Sequence, residues 1–372
     1  MQLFPFEQPG FPRRLGFINE DGDVVVEQIY AWSPYSQFNA AGYAVVQTED
    51  LGEKLVIDTK GKVRLEISPD YFFSMMTPPD SYGLFPIEHR PDHGDKTAYE
   101  MEGRDWAYKG RRSDFAMTLA GDIAFEEKVS AFSHGAYGVK RALDGQKKPK
   151  FGIVDMKGSP RTDFDFDQLR WSQRDPYVCV GRDGLFGVID HFGNEVIPIV
   201  HPTGRVPSYH GVTDGVAIYY DPSRDMCLTM DMQGRPLAAV PTTYWSPIYP
   251  KAVPTLSDGL MKITLRANDG GEGASVFMNA FGDTPMKDKS GKARMFAPEH
   301  RLGYFYHGLA SIRINDLGGY IDKSGDVVIA PQYESAGDFR NGLAKVFFTT
   351  KDRQANQFAY INGYGEVVAQ NY

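Results

Sequence analysis

The nearest thing to a reactive cluster in this chain is His89 and His93, with Glu88, Asp92 and Asp95 around them. Imidazoles and carboxylates in that company are zinc-type donors. A helix would bring both rings to one face, but Pro91 stands between them and disfavours a helix. No cysteine or third histidine lies nearby in sequence, and His134, His191, His201, His210, His300 and His307 are dispersed. No metal is expected. Gly270-Gly271-Glu272-Gly273 does not follow a strand and open a helix, so it reads as a flexible loop and not a dinucleotide cradle. There is no Gly-x-Ser-x-Gly, phosphate-loop or paired-cysteine motif. Catalytic residues and cofactors are therefore not expected, and the chain does not read as an enzyme.

Binding chemistry is better represented. One segment holds Trp106, Tyr108, Arg111 and Arg112; another, rich in proline, holds Trp245 and Tyr249. Trp, Tyr and Arg are the residues most enriched at protein–protein hot spots. These six residues are the candidate contacts for a protein partner.

The elements that must carry them follow from a phrase repeated along the chain. An apolar run ends in Asp or Asn, two variable residues follow, then Gly and another apolar run. Copies include Ile18-Asn19-Glu-Asp-Gly22, Ile57-Asp58-Thr-Lys-Gly61, Val154-Asp155-Met-Lys-Gly158, Ile189-Asp190-His-Phe-Gly193 and Ile321-Asp322-Lys-Ser-Gly325. This is a β-hairpin. The Asp or Asn side chain bonds the backbone two residues on. Gly takes the left-handed conformation that costs other residues about 1–2 kcal/mol. A calcium loop at Asn19–Asp23 is excluded, since the downstream bidentate Glu is missing.

Turn glycines fall near 22, 61, 121, 158, 193, 234, 282, 325 and 365. The 60-residue step from Gly61 to Gly121 marks an insertion at about 72–112. A second phrase, an aromatic followed by Gly-Leu/Val-Ala, recurs at Gly42, Gly215, Gly259, Gly308 and Gly342. Small residues there suit a crowded inner strand. The strict alternation of Asp163, Asp165 and Asp167 reads as a strand with one charged face. Units of about 40 residues are marginal alone, so residues 1–372 should form a single array. The expected fold is all-β, with about eight units and a C-terminal part-unit. A closed propeller-like ring is favoured because closure removes sheet edges; an open β-superhelix is the alternative.

Gly319-Tyr-Ile-Asp322-Lys-Ser-Gly325-Asp-Val-Val-Ile-Ala-Pro331-Gln-Tyr333, followed by Phe339-x-x-Gly342-Leu-Ala-x-Val346, resembles the WG-repeat, a bacterial repeat found in tandem. The Trp-Gly pair itself is absent: Leu15, Phe151, Phe186 and Gly318 stand where Trp would precede Gly. The resemblance implies a non-catalytic binding scaffold. It also implies a place in toxin systems, where a cytoplasmic immunity partner neutralises a secreted effector.

A net charge of −8 argues against nucleic-acid binding and suits a basic protein partner, such as a toxin domain. Only Cys179 and Cys227 occur, no secretory signal is visible and no apolar run could span a membrane. A cytoplasmic setting is expected.

Overall fold

The computed structural model describes residues 2–7, 13–31, 33, 36–48, 53–73, 79–91, 99–102, 105–108, 113–142, 148–172, 175–202, 211–244, 246, 251–348 and 357–371. Among them every regular element is a strand, and no helix is long and apolar enough to cross a membrane. The chain forms two compact units, Met1–Asp165 and Phe166–Tyr372.

The hairpin phrase folds as its chemistry requires. Asp322 Oδ1 accepts the N–H groups of Ser324 at 2.9 Å and Asp326 at 3.0 Å, and Gly325 N–H reaches back to Asp322 O at 2.9 Å. All nine turn glycines have φ between 74° and 94°. At the degenerate copy, Thr118 Oγ1 takes the place of the carboxylate and accepts from Ala120 and Asp122. The same geometry recurs at Asp288-Lys-Ser-Gly291, where it was not foreseen.

These hairpins assemble into small up-and-down antiparallel sheets, seven of them with three or four strands. In Met1–Asp165 a six-stranded sheet runs from Phe4–Glu7 to Val63–Ile67, its halves joined only at Ala31↔Gln47. A four-stranded sheet follows, with the ribbon Tyr99–Glu102/Asp105–Tyr108 inserted between its second strand, Leu84–His89, and its third, Ser113–Thr118. A three-stranded sheet, Val129–Ser133 to Lys150–Val154, completes that unit. Phe166–Tyr372 holds five sheets, whose first strands begin at Gln168, Gly211, Leu256, Arg301 and Ser335. The last is a complete four-stranded sheet where only a part-unit was anticipated. Serial blade-like sheets without helices make the fold class the all-β, propeller-like one.

The core explains why no sheet stands alone. Among the described residues, six hydrophobic clusters take residues from two consecutive sheets, and a seventh joins the two halves of the six-stranded sheet. Cys179, Phe186 and Val188 pack with Ala217 and Tyr219; Tyr320 and Ile329 pack with Val346 and Ile361. Phe277 meets Phe305 of the next sheet edge-on at 4.8 Å.

The glycine of the degenerate Trp-Gly position has its own cause. A Cβ on Gly319 would lie 2.6 Å from Ile329 O, and one on Gly187 2.7 Å from Ile197 O. At both places the pairing with the fourth strand shifts register, so a bulged backbone occupies the side-chain space.

Two sequence readings need correction. Phe164 and Phe166 are buried and the aspartates around them point outward, but that segment is irregular and has only a bridge at Phe166. Alternating burial does not require strand pairing. Gly270 is no flexible loop: its N–H bonds Ala267 O at 2.9 Å and closes the tight turn between Leu260–Arg266 and Glu272–Met278.

Candidate binding face

In four of the five sheets of the second unit, the turn leading into the second strand has two residues. Asp214-Gly215, Asp258-Gly259, His307-Gly308 and Asn341-Gly342 all have positive φ at both positions. That is the type I′ turn, whose twist matches the strands it joins. Asp, Asn and His tolerate the first position and Gly fits the second.

The first turn residue also links neighbouring sheets. Asp214 Oδ2 accepts the N–H of Gly259 at 3.2 Å, Asp258 Oδ2 that of Gly308 at 2.6 Å, and His307 Nε2 that of Asn341 at 3.0 Å. Each turn therefore receives the backbone donor of the next. Asp258 also pairs with Lys323 at 3.0 Å. Burial pushes its carboxyl up, but the Gly308 N–H and the Lys323 ammonium outweigh this and hold it below the ordinary range. Deeper ties run the same way: Thr229 Oγ1 donates to Ala280 O and Ser257 Oγ to Phe305 O, each at 2.6 Å.

This ladder sets the first-turn ends of consecutive sheets side by side, and they enclose a concavity of about 580 Å³. The first sheet contributes Arg170, Trp171 and Ser172 to its wall, the second Val212 and Thr213, the third Thr255 and Ser257. Tyr306 and His307 come from the fourth, Arg340 and Asn341 from the fifth. Arg170 and Arg340 are among its lining residues, and Ser172 Oγ donates to Asp175 Oδ2 at 2.9 Å. The Trp171 indole Nε1–H is buried with no acceptor among the described residues. Immediately before Phe339 and Arg340 sits Asp338, whose carboxyl burial pushes up. Burial also pushes Lys262 down; its ammonium donates to Leu302 O at 2.8 Å.

In an up-and-down sheet, the turn joining strands one and two shares an end with the turn joining strands three and four. The Asp-x-x-Gly tips of this unit thus stand on the same side as the concavity. The residue before the glycine is Phe192, Gln233, Phe281, Ser324 and Tyr364 in order. Phe192 is 58 % exposed, Phe281 64 % and Tyr364 88 %. Every second tip thus offers water an aromatic ring.

Of the contact residues expected from sequence, Trp106 and Tyr108 fall on the inserted ribbon strand Asp105–Tyr108. Arg111, Arg112, Trp245 and Tyr249 lie outside the described residues, as does His93. His89 stacks on Tyr71 at 4.6 Å. Cys179 and Cys227 are buried thiols that burial pushes up to about 12. Sequence reasoning missed the cavity and the aromatic tips. The available signal was the variable residue just before each phrase glycine.

A model of the WG containing repeat matches residues 319–347. No curated protein matches the chain in sequence. Among solved structures, the chain is similar to a crystal structure described as that of the eukaryotic initiation factor. Identity is 8 % and the TM-score 0.54, over 100 % of this chain and 96 % of that one. It also aligns with apo AztD from Citrobacter koseri, at 11 % identity and TM-score 0.38, over 87 % and 92 % of the two chains. For Sqt1 of Saccharomyces cerevisiae the identity is 10 % and the TM-score 0.34, over 86 % and 90 %. The first likeness shows a shared fold and nothing beyond it.

Proposed function

We propose that this chain is a non-catalytic scaffold that binds a protein partner through the first-turn face of Phe166–Tyr372. The observation that carries the reading is the set of exposed rings on Phe192, Phe281 and Tyr364, at one repeat position and on the side of the concavity. Exposed aromatics around a recess give the buried anchors that interfaces of roughly 1,600 Å² depend on. Glycan binding would call for a ring in every repeat, and Gln233 and Ser324 interrupt the series.

Within that reading, the partner is a toxin domain with a basic surface and this chain is its immunity protein in a bacterial cytoplasm. The match to the WG containing repeat and the net charge of −8 support this. The inserted ribbon with Trp106 and Tyr108 is a second contact, continued by Arg111 and Arg112.

The test is capture of purified neighbouring gene products by the full chain. Changing Phe192, Phe281 and Tyr364 together to Ser should weaken capture at least tenfold without lowering the melting temperature. Equal capture would sink the face assignment. A variant with Trp106, Arg111 and Arg112 changed to Ala tests the ribbon separately. An enzyme or small-ligand binder is the second reading, favoured by the perturbed Lys262 and Asp338, which act on each other electrostatically. Lys262→Met would then abolish turnover or ligand uptake and leave partner capture intact.

A further inference from the structure

We infer that Asn341-Gly342 is a site of spontaneous covalent modification, where the Asn341 carboxamide is converted to a carboxylate on the wall of the concavity. The chemistry belongs to one turn and does not depend on a protein partner.

Asparagine is a chemically labile residue. Its weak point is the carboxamide carbon, which the backbone nitrogen of the next residue can attack. Glycine leaves that nitrogen open, because it has no side chain to shield it. Asn-Gly occurs in this chain at Asn341-Gly342 and at Asn362-Gly363. Both are hairpin turns, and the fold treats them oppositely.

At Asn362 the carboxamide is fixed. Its Oδ1 accepts the N–H groups of Tyr364 and Glu366, each at 3.0 Å, and its Nδ2 donates to Glu366 Oε2 at 2.7 Å. Attack needs the two reacting atoms about 3–3.5 Å apart and aligned, and those three bonds withhold that approach. At Asn341 the carboxamide makes no hydrogen bond among the described residues. Arg340 and Leu343 close the turn by exchanging N–H groups at 2.8 and 3.1 Å, which leaves the Gly342 N–H between them without an acceptor among the described residues. Both turn residues are exposed, and nothing lies within 4 Å of the Cβ position on Gly342. The first-turn ladder explains the difference. Asp214, Asp258 and His307 each accept an N–H from the following turn. Asn341 stands in the last sheet of the unit, gives its own N–H to His307 and receives no donor in exchange.

The reaction needs only water. Gly342 N gives up its proton and bonds to Asn341 Cγ. The carboxamide nitrogen leaves with that proton as ammonia, and a cyclic imide remains. Water opens the imide at either carbonyl, giving aspartate or isoaspartate. Either product puts a negative charge beside Arg340 in the concavity wall. Isoaspartate also adds a carbon to the main chain of a two-residue turn and strains the Asn341 N–H bond to His307 Nε2. The face thus changes charge with the age of the molecule.

The experiment incubates the full chain for days at mildly alkaline pH and follows both sites by proteolytic mass mapping, which reads the exchange of an amide nitrogen for oxygen. In the folded chain, conversion at Asn341 should be at least tenfold faster than at Asn362. In concentrated urea the two rates should converge, because the protecting bonds at Asn362 are gone. Asn341→Gln should abolish conversion at this site with an unchanged melting curve, since the longer side chain would have to close a larger ring. No conversion at Asn341 in the folded chain, or equal rates at the two sites, would overturn the inference. A rate gap that persists in urea would also overturn it, because the cause would then be local sequence and not the turn.

Discussion

Met1–Asp165 and Phe166–Tyr372 use one turn grammar and spend its variable positions differently. In the first unit, two of the first turns have four residues and close around a buried or half-buried polar side chain. Asp80, only 7 % exposed, accepts the N–H groups of Tyr82 and Leu84 and the hydroxyl of Tyr137 at 2.6 Å. Asn39 donates to Pro79 O of the next sheet. In the second unit four of the five first turns shrink to two residues, and the acceptors at those turns are exposed or half-exposed. The outer tips differ too. The residue before the turn glycine is Asp21, Lys60, Ala120 and Lys157 in the first unit, against Phe192, Phe281 and Tyr364 in the second. The residues that make the turn are constant because the backbone demands them. The exposed residue between them is unconstrained by folding, and there the two units diverge.

If that division holds, the strongest response should come from a constant position where backbone is in the way. Gly319→Ala would drive a methyl into the bulged strand at Ile329 and Pro331. Overpacking of that kind costs about 3 kcal/mol or more when only main chain can yield. Gly215→Ala is the control. Its φ is +70°, yet nothing lies within 4 Å of the added carbon, so only the left-handed strain of about 1 kcal/mol applies. Denaturant titrations of both variants measure the gap. Equal losses would mean that the close approach does not set the requirement for glycine.

The next effect sharpens the contrast between the inter-sheet ties. Tyr137→Phe leaves the buried Asp80 carboxyl short of one donor and should cost about 2 kcal/mol. Asp258→Ala in the second unit removes an acceptor that is only half-buried. The exposed Lys323 ammonium then returns to water, and about 1 kcal/mol is expected. Urea unfolding of the two variants ranks them. A larger loss for Asp258→Ala would show that the turn ladder, and not the buried pair, is the stronger tie.

The same division explains what could be seen in the sequence. The nine turn glycines were legible because positive φ leaves few alternatives to glycine, and the degenerate copy at Gly121 was legible because Thr118 still offers an oxygen. Pairing of each sheet with its neighbours followed from unit size, and the two-sheet clusters show it in detail. The alternation from Asp163 to Asp167 misled, because facing in and facing out also occurs in an irregular chain. The cavity was illegible because its wall gathers two or three residues from each of five sheets, between 170 and 341. No local spacing records that convergence. The aromatic tips lay in plain view, but only the structure puts them on the concavity's side.

The smallest effect is a pH dependence of opposite sign in two sets of aspartates. At Asp58, Asp190 and Asp322, burial pushes the carboxyl up, but the turn N–H groups and neighbouring side chains outweigh it and hold it below the ordinary 3.8. The unfolded chain then binds more protons than the folded one. The stabilisation these groups give is present above that value and is lost as pH falls through their folded values. At Asp80, burial prevails over the Tyr137 hydroxyl and the turn N–H groups, and the carboxyl is raised above 3.8. Here the folded chain binds the extra proton, so stability is present below 3.8 and is lost as pH rises through the raised value. Acidification from neutrality should therefore first raise the melting temperature and then lower it. Asp80→Asn should erase the rise and leave the acid loss, because amide nitrogen does not titrate and the turn carboxylates are untouched. A melting curve that still climbs on acidification in Asp80→Asn would assign the rise to some other buried acid, and Asp338, raised by burial in the second unit, would be the one to change next.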